Sequence, residues 1–369
     1  MKQLFLLLFL INISFPLLAQ FQNGLTIGAD VHYGTLLKHT ERQKFTAPDP
    51  SYGLSFEVMK QTFGRDYWAE LHGYPRLGWG ILYKSYGNPD TLGTMISIYP
   101  QLDLPVYRGK KLKIFTRMAY SVAYLNKPYN QETNPNNTAI GSRINNYTTV
   151  GMIAEYAITP KWWLRAGFNI AHSSNGRVST PNLGLNTATA RLGLSYQVAE
   201  ANEKQHFPYD KYPLAKKPIF GFRAGAGLTE TNTVNGPTYP IYVYSPFVIF
   251  PRSGKSRWFT GFEYSRNQLT SDWVVNQDIE PEKKEAKNLQ MSVYGGHEFM
   301  FGRVGFQTQL QFYVHELPQS RYFWNAKIGP NVYLLRPHKS PRRNAYIGVY
   351  LKTEYFVAQY VDFTVGITL

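Results

Sequence analysis

The chain contains no cysteine. That excludes a disulfide framework, a thiolate nucleophile and a thiolate metal site. Charge is sparse as well: Asp, Glu, Lys and Arg make up 17% of 369 residues, and acids are the scarcer sign, 24 against 39 bases. After the first twenty residues no apolar run approaches the ~18–20 residues a membrane helix needs. No segment sustains a helical apolar period beyond two turns, which argues against a helix bundle. What the chain has instead is aromatic: 28 Tyr and 23 Phe, with aromatics at 16% overall. The formal charge of +15 is spread along the sequence rather than clustered. Dispersed bases argue against nucleic acid and suit either a solvated basic surface or attraction to anionic head groups.

The start, MKQLFLLLFLINISFPLLAQ, has Lys2 as a short positive region, an apolar core from Leu4 to Leu18 broken by Asn12 and Pro16, and small Ala19 before Gln20. It reads as a secretory signal peptide over 1–19 and is set aside from the fold. The rest alternates apolar and polar residues with period two. Strands are expected near 24–37, 51–62, 67–85, 92–107, 111–125, 147–158, 161–174, 186–198, 218–230, 239–251, 256–267, 287–301, 303–315, 321–335, 345–355 and 358–369. Connections alternate between short turns such as Thr159–Pro160 and long loops such as Asn126–Asn146. The expected fold is therefore all-β: an antiparallel transmembrane β-barrel of about sixteen strands in the outer membrane of a Gram-negative cell. The charged stretch 199–217, AEANEKQHFPYDKYPLAKK, divides 20–198 from 218–369 and reads as a periplasmic linker. Two eight-stranded barrels are the alternative; one large barrel is preferred, because two require two separate closures. The last strand would then close against the first.

Lys161–Gly176, KWWLRAGFNIAHSSNG, carries the chemistry. One face holds Trp162, Leu164, Ala166, Phe168 and Ile170, then His172 and Ser174; the other holds Trp163, Arg165, Gly167, Asn169, Ala171 and Ser173. With a periplasmic N-terminus this seventh strand runs outward, and Trp162 and Trp163 fall in the periplasmic aromatic girdle. Rising ~3.3 Å per residue at ~45° tilt, the strand climbs on the order of 28 Å between Trp162 and Ser174. His172 and Ser174 then share the lipid side at outer-leaflet depth. Residues two apart on a strand project side by side, about 6.5–7 Å apart at Cα. The imidazole can take the hydroxyl proton as Ser174 attacks an acyl carbon. Asn175 and Gly176, where the strand turns into a loop, can stabilise the oxyanion.

HSSNG, followed by Pro181–Asn182–Leu183–Gly184–Leu185–Asn186 and a strand ending Leu194–Ser195–Tyr196, resembles the PagL family of outer-membrane lipid A 3-O-deacylases. The final LKTEYFVAQYVDFTVGITL looks like the close of larger Bacteroidetes-type relatives labelled acyloxyacyl hydrolases. The resemblance implies an eight-stranded barrel over about 21–198, a carboxylic ester hydrolase, Ser174 as nucleophile, His172 as base, and Asn175 with Gly176 in the oxyanion hole. Its partners would be lipid A, lipopolysaccharide and the bilayer, with no cofactor; a homodimer is compatible with the class. The sequence departs from the family at the third member. A glutamate about twelve residues after the serine is implied, and here that place is near Asn186, with no Asp or Glu between Ser174 and Glu200. An Asn orients a neutral imidazole but stabilises an imidazolium less than a carboxylate does. Asn186 or Glu132, in the long loop before strand six, is the orienting candidate; Glu155 lies on the lumen side by alternation.

No metal site is expected. His297–Glu298 lacks a second His at helical spacing. His315–Glu316 begins a short loop, and His32, His39, His72, His206 and His338 have no acid or His partners at ligand spacing. The rival reading is a non-catalytic barrel, structural or a pore, since sixteen strands would enclose an aqueous channel.

Overall fold

The structure, a computed structural model, describes residues 24–38, 40–63, 66–199, 214–231, 236–269, 289–315, 323–337, 339–354 and 357–369. The expected signal peptide, most of the 199–217 connector, His39, His206 and His338 lie outside these residues. The strands in chain order are β1 (Leu25–Leu37), β2 (Ser51–Gln61), β3 (Arg76–Ser85), β4 (Thr94–Arg108), β5 (Leu112–Leu125), β6 (Ile144–Ala157), β7 (Trp162–Ser174) and β8 (Leu185–Gln197). They continue with β9 (Ile219–Glu230), β10 (Thr238–Ser253), β11 (Ser256–Asn267), β12 (Leu289–Phe301), β13 (Val304–His315), β14 (Trp324–Tyr333), β15 (Asn344–Glu354) and β16 (Val357–Thr368). A short helix, α1 (Tyr67–Leu71), precedes β3.

The strands form two closed barrels, β1–β8 and β9–β16. β1 closes on β8 from Thr26↔Gln197 to Leu37↔Asn186, and β16 closes on β9 from Val361↔Leu228 to Thr368↔Gly221. The preference for one sixteen-stranded barrel is thus overturned, and the last strand closes on β9 rather than on β1. The reason lies in the lumen side chains, which are long, charged and matched within each half. In the first barrel Arg117 on β5 reaches Glu57 on β2 at 2.6 Å, and Arg76 on β3 reaches Glu155 on β6 at 2.7 Å. Arg165 on β7 bonds Glu57, and Arg191 on β8 bonds Asp30 and Glu57. Asp103 joins through Arg76 and Arg117. In the second barrel Lys327 meets Glu263 at 2.9 Å and Asp362 at 2.7 Å, while Arg257 meets Glu298 at 2.7 Å. The Arg257–Glu298 and Asp103 pairs join neighbouring strands, but Arg117–Glu57, Arg76–Glu155, Arg165–Glu57 and Lys327–Glu263 join strands three apart and so span the narrow lumen of eight strands, which side chains fill; in a sixteen-stranded ring these would face water. The channel on which the pore reading depended is not formed.

The exterior is apolar, as period-two alternation demands. In β2 exposed and buried positions alternate strictly from Ser51 to Met59. β7 alternates too, and this separates its two tryptophans. Trp162 faces outward against Tyr196, ring centroids 5.0 Å apart. Trp163 is buried inside, with the Lys113 ammonium 3.9 Å from its ring. Only Trp162 is therefore an exterior residue, a correction to the expected pair.

The start of the expected 67–85 strand is helical. Tyr67–Leu71 forms α1, and Gly73 (φ 68°) and Tyr74 (φ 58°) end it, with the Tyr74 N–H donating to Ala69 O. Glycine reaches that left-handed region without penalty. The turn packs on the second barrel. The His72 Nε2–H donates to Met300 O at 2.8 Å, its ring lies 4.8 Å from Phe301, and Arg336 pairs with Asp66 at 2.5 Å. The two barrels thus touch at the end carrying the short turns. They touch again at the opposite, loop-bearing end, where the Glu230 N–H donates to Arg177 O at 3.2 Å; there Phe45, Leu92, Met95, Ala139, Ile140 and Leu185 form a buried apolar cluster of the first barrel.

Candidate active site

β7 delivers His172 and Ser174 to the loop-bearing end on the outward face. Register decides their neighbours: His172 pairs with Thr148 on β6 and Asn186 on β8, and Ser174 pairs with Asn146. Directly opposed residues on antiparallel strands project to the same side, about 4.5–5.5 Å apart. The connection of residues 175–184 is long enough to return the chain with Asn186 beside His172. His172 Nδ1 and Asn186 Oδ1 are 2.7 Å apart. With Oδ1 as acceptor, Nδ1 carries the proton and Nε2 is left as a base.

Ser174 is 6% exposed, although Phe168 and Ile170 on the same face are more than half exposed. The loop after it folds on itself. The Asn175 N–H donates to Asn182 Oδ1 (2.9 Å), Asn175 Nδ2 donates to Ser179 O (2.8 Å), and Asn175 Oδ1 accepts from the Arg177 N–H (3.0 Å). Asn175 is therefore occupied in shaping the turn. Gly176 follows with φ 65°, a conformation L side chains rarely adopt, and among the described residues its N–H has no hydrogen-bond partner. Gly184 (φ 79°) closes the loop against the imidazole: a Cβ there would stand 2.6 Å from His172 Cε1. Its N–H donates to Ala139 O at 3.0 Å, and its carbonyl accepts from Gln43 Nε2 at 3.3 Å.

The two acids considered from the sequence lie elsewhere. Glu132 is exposed, its own N–H bonded to Asn130 Oδ1 at 3.0 Å. Glu155 is inside the lumen, on Arg76. Sequence reading missed Asn146 and Thr148. They lie on the outward face of β6 beside Ser174 and His172, and the Thr148 hydroxyl donates to Asn146 Oδ1 at 2.7 Å. The signal was present: the outward positions of β6 change from apolar Met152 and Val150 to polar Thr148 and Asn146 at the same level as β7 changes. Asn182 was seen only as part of a motif, because its contact with Asn175 depends on the loop's course.

Of the remaining histidines, His32 is inside the first lumen, Nε2 2.9 Å from Ser55 Oγ. His297 is on the second exterior, edge-on to Trp258 and Phe299.

Two closed antiparallel barrels with apolar exteriors and ion-paired lumens define a transmembrane β-barrel protein. Residues 20–195 match the family model for lipid A 3-O-deacylase (PagL), and residues 221–369 match that for the acyloxyacyl hydrolase C-terminal domain. The chain belongs to this PagL and acyloxyacyl hydrolase family. Among solved structures it is similar to the outer membrane enzyme PagL, at 15% identity over 45% of this chain and 97% of that one, TM-score 0.31. Neisserial surface protein A matches at 12% identity over 47% and 97%, TM-score 0.30. No curated protein matches the chain.

Proposed function

We propose that this protein is a serine esterase of the Gram-negative outer membrane that hydrolyses an ester-linked acyl chain of lipid A. Ser174 Oγ attacks the ester carbonyl carbon as His172 Nε2 takes its proton. The tetrahedral intermediate collapses, and His172 returns the proton to the departing sugar hydroxyl. Water, deprotonated by the same imidazole, then releases the fatty acid from Ser174. Asn186 holds the imidazole in the tautomer that leaves Nε2 basic. The Gly176 N–H, in the turn shaped by Asn175, stabilises the oxyanion. The observation that carries this reading is the 2.7 Å contact between His172 and Asn186, two residues before Ser174 on a lipid-facing strand end. A substrate embedded in the leaflet brings its acyl ester to that depth. Lipopolysaccharide phosphates would meet a chain of net charge +15.

The test is expression in a lipid A-containing outer membrane, with mass spectrometry of the extracted lipid. Loss of one acyl mass with the native chain, and its retention with Ser174→Ala and with His172→Ala, is expected. Unchanged lipid A, or deacylation that survives both substitutions, refutes the mechanism.

A further inference from the structure

The loop that carries Gly176 is held from outside its own barrel. Glu230, the last residue of β9, is buried, and its carboxylate accepts the Thr180 N–H. The Glu230 N–H in turn donates to Arg177 O at 3.2 Å. Between these, Val361 on β16 packs on Gly176: a Cβ there would lie 2.3 Å from Val361 Cγ2 and 3.8 Å from Leu351 on β15. Three strands of the second barrel therefore bear on the 175–184 segment. Its own barrel holds the segment from the other side, through Ser179 Oγ donating to Gly141 O at 3.0 Å, the Leu183 N–H to Thr138 O at 3.5 Å, and the Gly184 contacts to Ala139 and Gln43. The Arg177–Thr180 stretch beside Ser174 thus makes two hydrogen bonds with Glu230, the Thr180 N–H donating to its carboxylate and the Arg177 carbonyl accepting from its N–H.

We propose that the second barrel is a working part of the site, with Glu230 as a positioning residue that holds the 175–184 segment so that the Gly176 N–H stands beside Ser174. The inference rests on the esterase reading above and assigns the C-terminal half a role within it. Two features of the contact support a positioning role. A carboxylate bonded to a backbone N–H gives a short, directional, charge-assisted contact. Val361 leaves room only for glycine, the residue whose left-handed conformation turns the chain there. Glu230 touches the loop and not the acyl chain, so it acts on the geometry of the transition state rather than on substrate affinity.

The experiment compares full-length Glu230→Ala and Glu230→Gln with the native chain in outer-membrane vesicles. Folding is scored by the heat-modifiable band of the barrel, deacylation by lipid A mass spectra, and loop order by hydrogen exchange of the peptide spanning 175–184. Glu230→Ala is expected to lower kcat by about tenfold to a hundredfold with KM nearly unchanged, as small displacements of catalytic groups do. It is also expected to speed exchange in the loop. Glu230→Gln retains a carbonyl acceptor and is expected to restore most of both. An active native protein whose Glu230→Ala variant matches it in rate and exchange overturns the inference. So does faster exchange at unchanged rate, or a fall in affinity alone. A native chain without activity shows up separately, in the reference sample, and removes the esterase reading instead.

Discussion

Replacing Asn186 by Asp is the sharpest test of how the imidazole is used. Asn186 Oδ1 lies 2.7 Å from His172 Nδ1, and an aspartate at this position places a carboxylate oxygen there. The amide and the carboxylate both select the Nδ1–H tautomer. They differ once Nε2 has taken the serine proton, because both then face a cation but only the carboxylate meets it with an opposite charge. A neutral hydrogen bond contributes about 0.5–1.5 kcal/mol and one to a charged group about 1.5–3 kcal/mol. The difference of about 1–1.5 kcal/mol, realised as the imidazolium forms, corresponds to roughly a tenfold rise in kcat. Asn186 is half-buried, so the new carboxylate keeps part of its hydration. Asn186→Leu, which can neither orient nor stabilise, is expected to fall below the native rate. The assay is the initial rate of acyl release from purified lipopolysaccharide in mixed micelles, with the heat-modifiable band as a folding control. A folded Asn186→Asp protein slower than the native one, or a folded Asn186→Leu protein equal to it, refutes the assignment of Asn186 as the imidazole's orienting partner.

Other outcomes follow from the same geometry. Gly184→Ala combines a left-handed backbone with a Cβ 2.6 Å from His172 Cε1. It should displace the ring and lower deacylation by about tenfold or more while the barrel stays folded, as lipid A spectra and gel mobility will show. Glu57→Ala removes the carboxylate that bonds Arg117, Arg165 and Arg191 inside the first lumen. Leaving buried cations uncompensated should cost about 3–5 kcal/mol in urea unfolding, and a loss under about 1 kcal/mol would mean the lumen is hydrated. At the turn end the pKa of His72 is lowered, chiefly by burial, with the Met300 carbonyl pulling the other way. The folded state therefore binds this proton less readily than the unfolded chain. The contribution is present above the ordinary imidazole value of 6.5 and declines as pH falls below it. A flatter unfolding profile between pH 7 and 5 in His72→Gln is expected.

Much of this was open to reading in one dimension. Strict alternation in stretches such as 51–59 and 162–170 is enough to specify strands with one apolar face, since a lipid-facing exterior and a polar lumen require period two. The strand number follows from the turn residues between them. The polar end of β7 and the asparagine twelve residues after Ser174 were visible as letters, and so was the absence of any acid from 175 to 199. The helix of Tyr67–Leu71 was not, because its aromatic residues also suit a strand and its stability comes from packing against Met300 and Phe301 of the other barrel.

What only tertiary structure decided is which edges meet. Period two is silent about closure, and sixteen strands satisfy their backbone hydrogen bonds equally well in one ring or two. The choice depends on whether Arg117 finds Glu57 and Lys327 finds Asp362 across a narrow lumen, which no local pattern encodes. Register then sets Asn186 against His172, and the closure of the second barrel brings Glu230 to the loop behind Ser174. The proposed pair, His172 and Ser174, was legible because the two lie two apart on one strand; the residues placed around it were not, because Asn146, Thr148 and Glu230 come from other strands.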